Sequence, residues 1–82
     1  QEGSFSDGVK EGQWTAWFED GRITEGYYAG GKKNEVWTSW WDYERTRKEM
    51  QGVYKNGKMV DKWFFYDKNG NLKEIRYFSP DF

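Results

Sequence analysis

The sequence predicts an all-β protein, an antiparallel β-hairpin meander or solenoid of three repeats that forms a single twisted sheet. Three observations lead to this prediction. Gly and aromatic residues recur at fixed spacing along the chain. Short aromatic segments alternate with the turn-forming pairs DG, GG and NG. No segment longer than about ten residues shows clean helical spacing.

The repeat begins at three glycines, Gly3, Gly26 and Gly52, which stand 23 and 26 residues apart. A ring follows each of them two residues later, and a Trp follows eleven residues later. These equivalent positions are occupied by Phe5, Tyr28 and Tyr54 and by Trp14, Trp37 and Trp63. Such periodicity is typical of repeat architectures. We therefore expect one repeat domain over residues 1–82, with repeats at about 3–25, 26–51 and 52–78.

Each repeat contains two strand-like segments joined across a turn. The segments QWTAWF, EVWTSWW and KWFFY are short and aromatic, and RITEGYYA, KEMQGVY and LKEIRYF are their expected partners. The middle repeat is three residues longer, which predicts a longer hairpin loop carrying Arg45, Arg47 and Lys48. Pro80 is expected to end the last strand.

The glycines and rings have a structural interpretation. A strand Gly leaves a groove over the backbone that a neighbouring ring can cover. Gly26 and Tyr28 share a face by the two-residue period of a strand, and so do Gly52 and Tyr54. The pattern therefore predicts a ladder of rings lying over glycines.

The segments GYYAGGK (26–32), GVYKNGK (52–58) and GQWTAWFEDGR (12–22) resemble the MORN-variant repeats that occur mostly in bacterial proteins. Glu35 and Asp61 depart from that pattern, because they stand where Gly12 stands in the first repeat. The resemblance implies a β-hairpin solenoid that serves protein interaction, scaffolding or association with a cell envelope. The family motif is structural and implies no catalytic residue.

Size and composition restrict the classes of protein. A chain of 82 residues makes one small domain near the lower limit for unaided folding. It has no Cys and no His, so it has no disulfide and lacks the commonest metal ligand. Its core must come from six Trp, six Tyr and six Phe. We predict neither a cofactor nor a metal site.

The near-neutral charge argues against nucleic acid or an anionic membrane as a partner. The charge is uneven, however. Residues 1–31 hold six acids and two bases, a net −4, whereas residues 45–76 hold nine bases and four acids, a net +5. This polarity is compatible with head-to-tail association, although a solvated surface is the favoured interpretation.

Strand alternation places aromatic residues on both faces of the sheet. Trp14, Ala16 and Phe18 fall on one face, and Thr15 and Trp17 fall on the other. A single-layer sheet cannot bury both of its own faces. One hypothesis is therefore an aromatic surface that binds another protein or a second copy of the chain. Its candidate residues are Trp17, Trp40, Trp41 and Tyr66. The alternative is that these rings pack within the sheet.

Two further functional classes are a carbohydrate-binding module and an enzyme. Trp40 and Trp41 beside Asp42 and Glu44 suit a carbohydrate-binding surface, because flat rings stack on sugars and acids bind hydroxyls. An enzyme is disfavoured: the pair Glu19–Asp20 lies in a predicted turn, and no motif supplies a nucleophile, a phosphate loop or a metal cluster. Since the chain begins at Gln1, a removed export signal is compatible with it, and an extracytoplasmic location is the expectation.

Overall fold

The computed structural model describes residues 1–78, which form seven β-strands. Their bounds are β1 Glu2–Ser6, β2 Val9–Trp17, β3 Ile23–Ala29, β4 Lys32–Trp40, β5 Lys48–Lys55, β6 Lys58–Tyr66 and β7 Leu72–Phe78. The position of Pro80 lies outside the described residues. Each strand pairs antiparallel with the next, in the order β1-β2-β3-β4-β5-β6-β7. The prediction of an all-β antiparallel meander in one sheet is confirmed.

The sheet is a single layer. Its principal extents are 41 × 33 × 15 Å, and no second sheet or helix covers it within residues 1–78. Side chains on both broad faces can therefore pack only against neighbouring side chains of the same sheet. The environment of each face thus depends on which residues lie next to each other across the strands.

At one end of the sheet, tight two-residue turns join β1 to β2, β3 to β4 and β5 to β6. Both central residues of each turn have positive φ, which is the type I′ geometry that matches strand twist. The turn pairs are Asp7–Gly8, Gly30–Gly31 and Asn56–Gly57. Successive turns also contact one another, since Gly31 N donates to Lys10 O (3.1 Å) and Gly57 N donates to Lys33 O (2.8 Å).

At the other end, the connection between β4 and β5 differs from its neighbours. Backbone bonds close the β2–β3 turn between Phe18 and Arg22, and the β6–β7 turn between Asp67 and Asn71. The equivalent bond in the middle runs from Trp41 N to Arg47 O (2.8 Å), so this loop is two residues longer. The remaining inserted residue is at a β-bulge, where the pairing shifts between Ser39 and Trp40. The expected three-residue extension is thus divided between a loop and a bulge.

A second kind of bulge recurs within the hairpins. The β1–β2, β3–β4 and β5–β6 pairings all shift register beside the repeated Gly. At each shift one residue of the second strand adopts the left-handed conformation, namely Gly12 (φ 77°), Glu35 (φ 63°) and Asp61 (φ 61°). The aligned positions of the sequence therefore share one backbone conformation, although only the first is occupied by Gly. L-residues adopt this conformation at a cost.

Candidate interaction surface

One face of the sheet carries a continuous ladder of six rings, which we call the ladder face. Neighbouring rings meet edge to face, with centroids 5.0–6.0 Å apart. The ladder runs across the strands in the order Phe5, Trp14, Tyr28, Trp37, Tyr54, Trp63. These are the six ring positions of the repeat. The three Trp rings of the ladder are buried core residues, whereas Phe5 at its outer end is 64% exposed.

Each ladder Trp lies over the repeated Gly of the preceding strand. Trp14 covers Gly3, Trp37 covers Gly26 and Trp63 covers Gly52, so closely that an added Cβ would overlap the indole ring. The exposed fractions of the three Trp side chains are 6%, 5% and 2%. The predicted ladder of rings over glycines is therefore present, with Trp as the covering residue.

The bulge beside each Gly also provides a hydrogen-bond acceptor. The indole N–H donates to the carbonyl of the residue after the Gly: Trp14 to Ser4 O (3.0 Å), Trp37 to Tyr27 O (3.1 Å) and Trp63 to Val53 O (3.1 Å). A buried carbonyl without a partner would destabilise the fold. Gly, bulge and Trp thus act together. The Gly leaves space for the indole ring, and the carbonyl at the bulge accepts the hydrogen bond of the indole N–H.

Two lysines complete the ladder at the turn end. The Lys10 ammonium lies 4.8 Å from the Trp14 ring and 5.0 Å from Tyr28, and Lys33 lies 4.8 Å from Trp37 and 5.1 Å from Tyr54. Burial, with a smaller contribution from the Lys10 charge, lowers the pKa of Lys33. Met59 occupies the equivalent position on β6, opposite Tyr54.

The opposite face, which we call the open face, exposes large apolar side chains. Strand alternation and the pairing register place on it Trp17, Tyr27, Val36, Ile75 and Tyr77, all of which are exposed. The exposed fraction of Trp17 is 44%, although it stands only three residues from buried Trp14. Most of the exposed large apolar side chains of the described residues therefore lie on the open face, whereas Phe5 (64% exposed) and Phe18 are the exposed rings of the ladder face.

Three of the four predicted site residues lie on the open face, but they do not form an unbroken stripe. Trp17 and Trp40 flank Ile23 across β2, β3 and β4, and Ile23 is completely buried. The next position beside Trp40 is Lys48, which separates it from Tyr66. The structure thus brings Trp17 and Trp40 to one corner and leaves Tyr66 apart from them.

The longer β4–β5 loop closes over this corner. The Arg45 guanidinium pairs with Glu25 (Nη2 to Oε1, 3.0 Å), and the Trp40 indole N–H donates to the same carboxylate (3.2 Å). The Tyr43 hydroxyl donates to Phe18 O in the neighbouring turn. The Glu25 side chain raises the pKa of Arg45 further, mainly through these hydrogen bonds. The loop therefore fixes Trp40 and leaves Trp17 as the exposed ring of the corner.

Trp41, the fourth predicted residue, follows the end of β4 and does not join the other three. Its neighbours in a surface depression are Asp20, Arg22, Arg47 and Lys68, and the Lys68 ammonium lies 5.6 Å from its ring. Its indole N–H is buried and has no hydrogen-bond partner in residues 1–78. A buried donor without a partner destabilises the fold, and nothing in the structure explains it.

The acids proposed for sugar binding have different environments. The Asp42 carboxylate accepts hydrogen bonds from the Thr46 hydroxyl and from the backbone N–H of Thr46 and Arg47, and these bonds lower its pKa, the Thr46 hydroxyl most. Asp42 is therefore occupied in holding its own loop. Glu44 is exposed. The carbohydrate alternative gains no support from this arrangement.

Two further acids of the loop end are paired through one arginine. Arg22 bridges Asp20 and Glu49, with both N–O distances at 2.9 Å. The backbone N–H of Arg22 is the main cause of the lowered pKa of Asp20. Within residues 1–78 no group of three or more acidic, His or Cys side chains has metal-binding geometry, and no helix is long and apolar enough to cross a membrane.

Sequence reasoning missed two features of the site. Ile23 was not singled out, although it is an aliphatic residue at the start of a strand otherwise rich in polar residues. The cation–π contacts of Lys10 and Lys33 with the ladder rings were also missed. These lysines stand seven residues after Gly3 and Gly26 and so follow the repeat. The Glu25–Arg45 pair joins residues 20 positions apart, and no sequence signal links them.

The fold and the two faces define a single-layer antiparallel β-sheet built from a repeated Gly–aromatic–Trp unit. Comparison of the chain with models of protein families, with curated proteins and with solved structures finds no match. The function of the chain is therefore inferred from its own surface.

Proposed function

We propose that this chain is a non-enzymatic protein-interaction or scaffolding module of the MORN-like repeat kind, and that its open face binds the partner. The observation that carries the proposal is the exposure of Trp17, Tyr27, Val36, Ile75 and Tyr77 on one face of a single-layer sheet. Exposed large apolar side chains gathered on one face of a small domain are typical of an interaction site. Aromatic residues are also the common anchors of protein interfaces.

The distribution of polar groups supports the same proposal. Several loop-end acids are engaged in ion pairs near the turns, as in Asp20–Arg22 and Glu25–Arg45, rather than directed into a cleft. The open face itself is broad and shallow, which suits a protein surface better than a small molecule. Trp17 is the residue on which we expect binding to depend most.

The chain offers a matched pair of variants for a test. Trp17 and Phe18 are adjacent, and the exposed fraction of each side chain is 44%, but Trp17 lies on the open face and Phe18 lines depressions of the ladder face. The tagged chain, Trp17→Ser and Phe18→Ser are each used for chemical cross-linking in the cells that make the protein. Thermal unfolding is measured for all three.

We expect the wild-type chain and Phe18→Ser to capture the same proteins, and Trp17→Ser to lose them while it remains folded. Its melting temperature is expected to fall modestly, because Trp17 flanks buried Ile23. Equal capture by all three chains would exclude the open-face corner as the binding surface. Loss by Phe18→Ser alone would move the interaction to the ladder face.

A further inference from the structure

The last strand of the sheet resembles an interior strand that lacks its neighbour. Leu72 on β7 pairs with Tyr66 in the way that Ile23 on β3 pairs with Trp17. Ile23 is completely buried between two strands, whereas the exposed fraction of Leu72 is 52%. The difference arises because β4 flanks β3 on its second side, and no strand of residues 1–78 flanks β7.

The two outer edges of the sheet are unlike each other. β1 has five residues, and its open-face positions Glu2, Ser4 and Ser6 are polar. β7 has seven residues, and it presents Leu72, Ile75 and Tyr77 to the same face. Natural edge strands are usually short or carry charges that prevent pairing. β1 is short, whereas β7 is longer and carries Lys73, Glu74 and Arg76, whose charges are of both signs. Such charges oppose pairing only in registers that place like charges across from each other, so β7 is suited to pair in a register that places opposite charges there.

The sequence of β7 is self-complementary in one antiparallel register. If two copies align with Ile75 opposite Ile75, then Glu74 of each chain lies opposite Arg76 of the other. Glu74 and Arg76 both point to the ladder face, since they pair with Phe65 and Trp63 on β6. Opposite charges placed directly across two strands stabilise the pairing.

Other registers are excluded by charge and by the alternation of side chains. A shift by one residue would place side chains of opposite faces across from each other. A shift by two residues would place Glu74 opposite Glu74, or Arg76 opposite Arg76, and like charges across two strands repel. The register centred on Ile75 therefore has no close competitor.

In the single chain the same two residues neutralise each other. Arg76 Nε lies 2.7 Å from Glu74 Oε2, and this contact lowers the pKa of Glu74. Both side chains remain substantially exposed, at 58% and 44%. Two such pairs brought together across an axis form a square of alternating charges, so no charge has to lose its partner when the strands meet.

We propose that β7 is a homodimerisation edge, which pairs antiparallel with β7 of a second copy about a two-fold axis through Ile75. The two seven-stranded sheets become one continuous sheet with an isologous contact. Leu72, Ile75 and Tyr77 of both copies lie on the same face of it. This contact uses the edge of the sheet, so it is separate from the open-face corner at Trp17.

Charge exchange provides the first test. Glu74→Arg places Arg opposite Arg76 of the partner, and Arg76→Glu places Glu opposite Glu74 of the partner. We expect each variant alone to raise the dimer dissociation constant by about tenfold or more, as measured by light scattering over a concentration series. An equimolar mixture of the two variants restores complementary charges and is expected to recover the wild-type constant as a heterodimer. The control is Lys55→Gln, which removes a charge from an interior strand.

A wild-type chain that remains at the 9.9 kDa monomer mass at all concentrations would overturn the proposal. So would a mixture that stays as weak as the separate variants, since a general loss of strand stability is not repaired by mixing. Far-ultraviolet circular dichroism confirms that each variant is folded. Trp17→Ser is expected to leave the dimer unchanged, so failure of the edge and failure of the open face are distinguishable.

A cysteine scan provides the second test, because the chain has no Cys of its own. Residues directly opposite in an antiparallel pair have Cα atoms about 4.5–5.5 Å apart, within the range of a disulfide. Ile75→Cys is therefore expected to form a covalent dimer on mild oxidation. Tyr77→Cys alone is expected to remain monomeric, because Tyr77 does not lie opposite itself in this register. Equal cross-linking of Ile75→Cys and Tyr77→Cys alone would contradict the register.

Discussion

Trp14 and Trp17 stand three residues apart on β2 and have opposite environments. Trp14 is 6% exposed on the ladder face, and Trp17 is 44% exposed on the open face. On the ladder face a Gly of the neighbouring strand leaves room for the ring, and a bulge presents a carbonyl to the indole N–H. On the open face the residue opposite Trp17 is Ile23, which offers neither. The burial of an indole on a single-layer sheet therefore depends on the residues of the adjacent strand.

The largest expected effect is a change of the groove itself. In Gly26→Ala the added methyl would overlap the Trp37 ring, which must leave its seat. We expect a loss of about 3 kcal/mol in the free energy of unfolding, at the upper end of the usual overpacking cost. Urea denaturation measures it. Gly8→Ala is the control, because its Cβ would have open space and only its positive φ is unfavourable, at about 1 kcal/mol. If Gly26→Ala lowers the free energy of unfolding no more than Gly8→Ala does, the Trp37 ring does not depend on the groove at Gly26.

The second prediction removes the hydrogen bond while keeping a ring. Trp37→Phe leaves Tyr27 O without the indole donor and opens a small cavity, so we expect a loss of about 2 kcal/mol. Trp17→Phe, on the open face, should change stability by less than about 0.5 kcal/mol. Thermal unfolding of the two variants compares the faces directly. Similar losses for both would show that the open face is packed as tightly as the ladder.

The third prediction concerns the bulges that shape the ladder face. Glu35 and Asp61 hold the left-handed conformation that Gly12 adopts in the first hairpin. Glu35→Gly and Asp61→Gly should therefore each raise the free energy of unfolding by about 0.5–1 kcal/mol. Gly12→Ala should lower it by a similar amount. Glu44→Gly controls for loss of an acid, because Glu44 has no positive φ, and it should bring no gain.

The smallest expected effect is a pH dependence at the loop that covers the open-face corner. Hydrogen bonds, first from the Thr46 hydroxyl, lower the pKa of Asp42. Its contribution to stability is therefore complete above the ordinary Asp pKa of about 4 and is lost as pH falls through the lower folded value. We expect Asp42→Asn to have a lower melting temperature than the wild type at pH 7, and the difference to shrink as the pH falls below about 4. A difference that is undiminished at low pH would mean that the amide perturbs the loop by another route.

Much of the ladder face could be predicted from the sequence because its contacts follow the repeat. The spacing of Gly26 and Trp37 recurs at Gly52 and Trp63, and identical spacing in stacked hairpins produces identical contacts. The open face could not be predicted in the same way. Its corner depends on Arg45, which belongs to the insertion and reaches Glu25 on another hairpin.

The predicted stripe shows the same limit. Strand alternation correctly assigns Trp17 and Trp40 to one face, but it does not fix which residue of the next strand lies beside them. The bulge between Ser39 and Trp40 brings Lys48 to that place. A bulge shifts the pairing by one residue, and no single-strand pattern reveals on which strand it occurs.

The all-β class, the hairpin meander and the aromatic ladder could be predicted from the sequence, because they follow from local turn chemistry and from a period that repeats in space. Tertiary packing determines which indoles are buried, how the loop reaches Glu25 and which edge strand carries apolar side chains. Those outcomes depend on the register between strands and on which strand forms each edge of the sheet. Neither is encoded in any one segment, since each strand acquires its environment only from its neighbours.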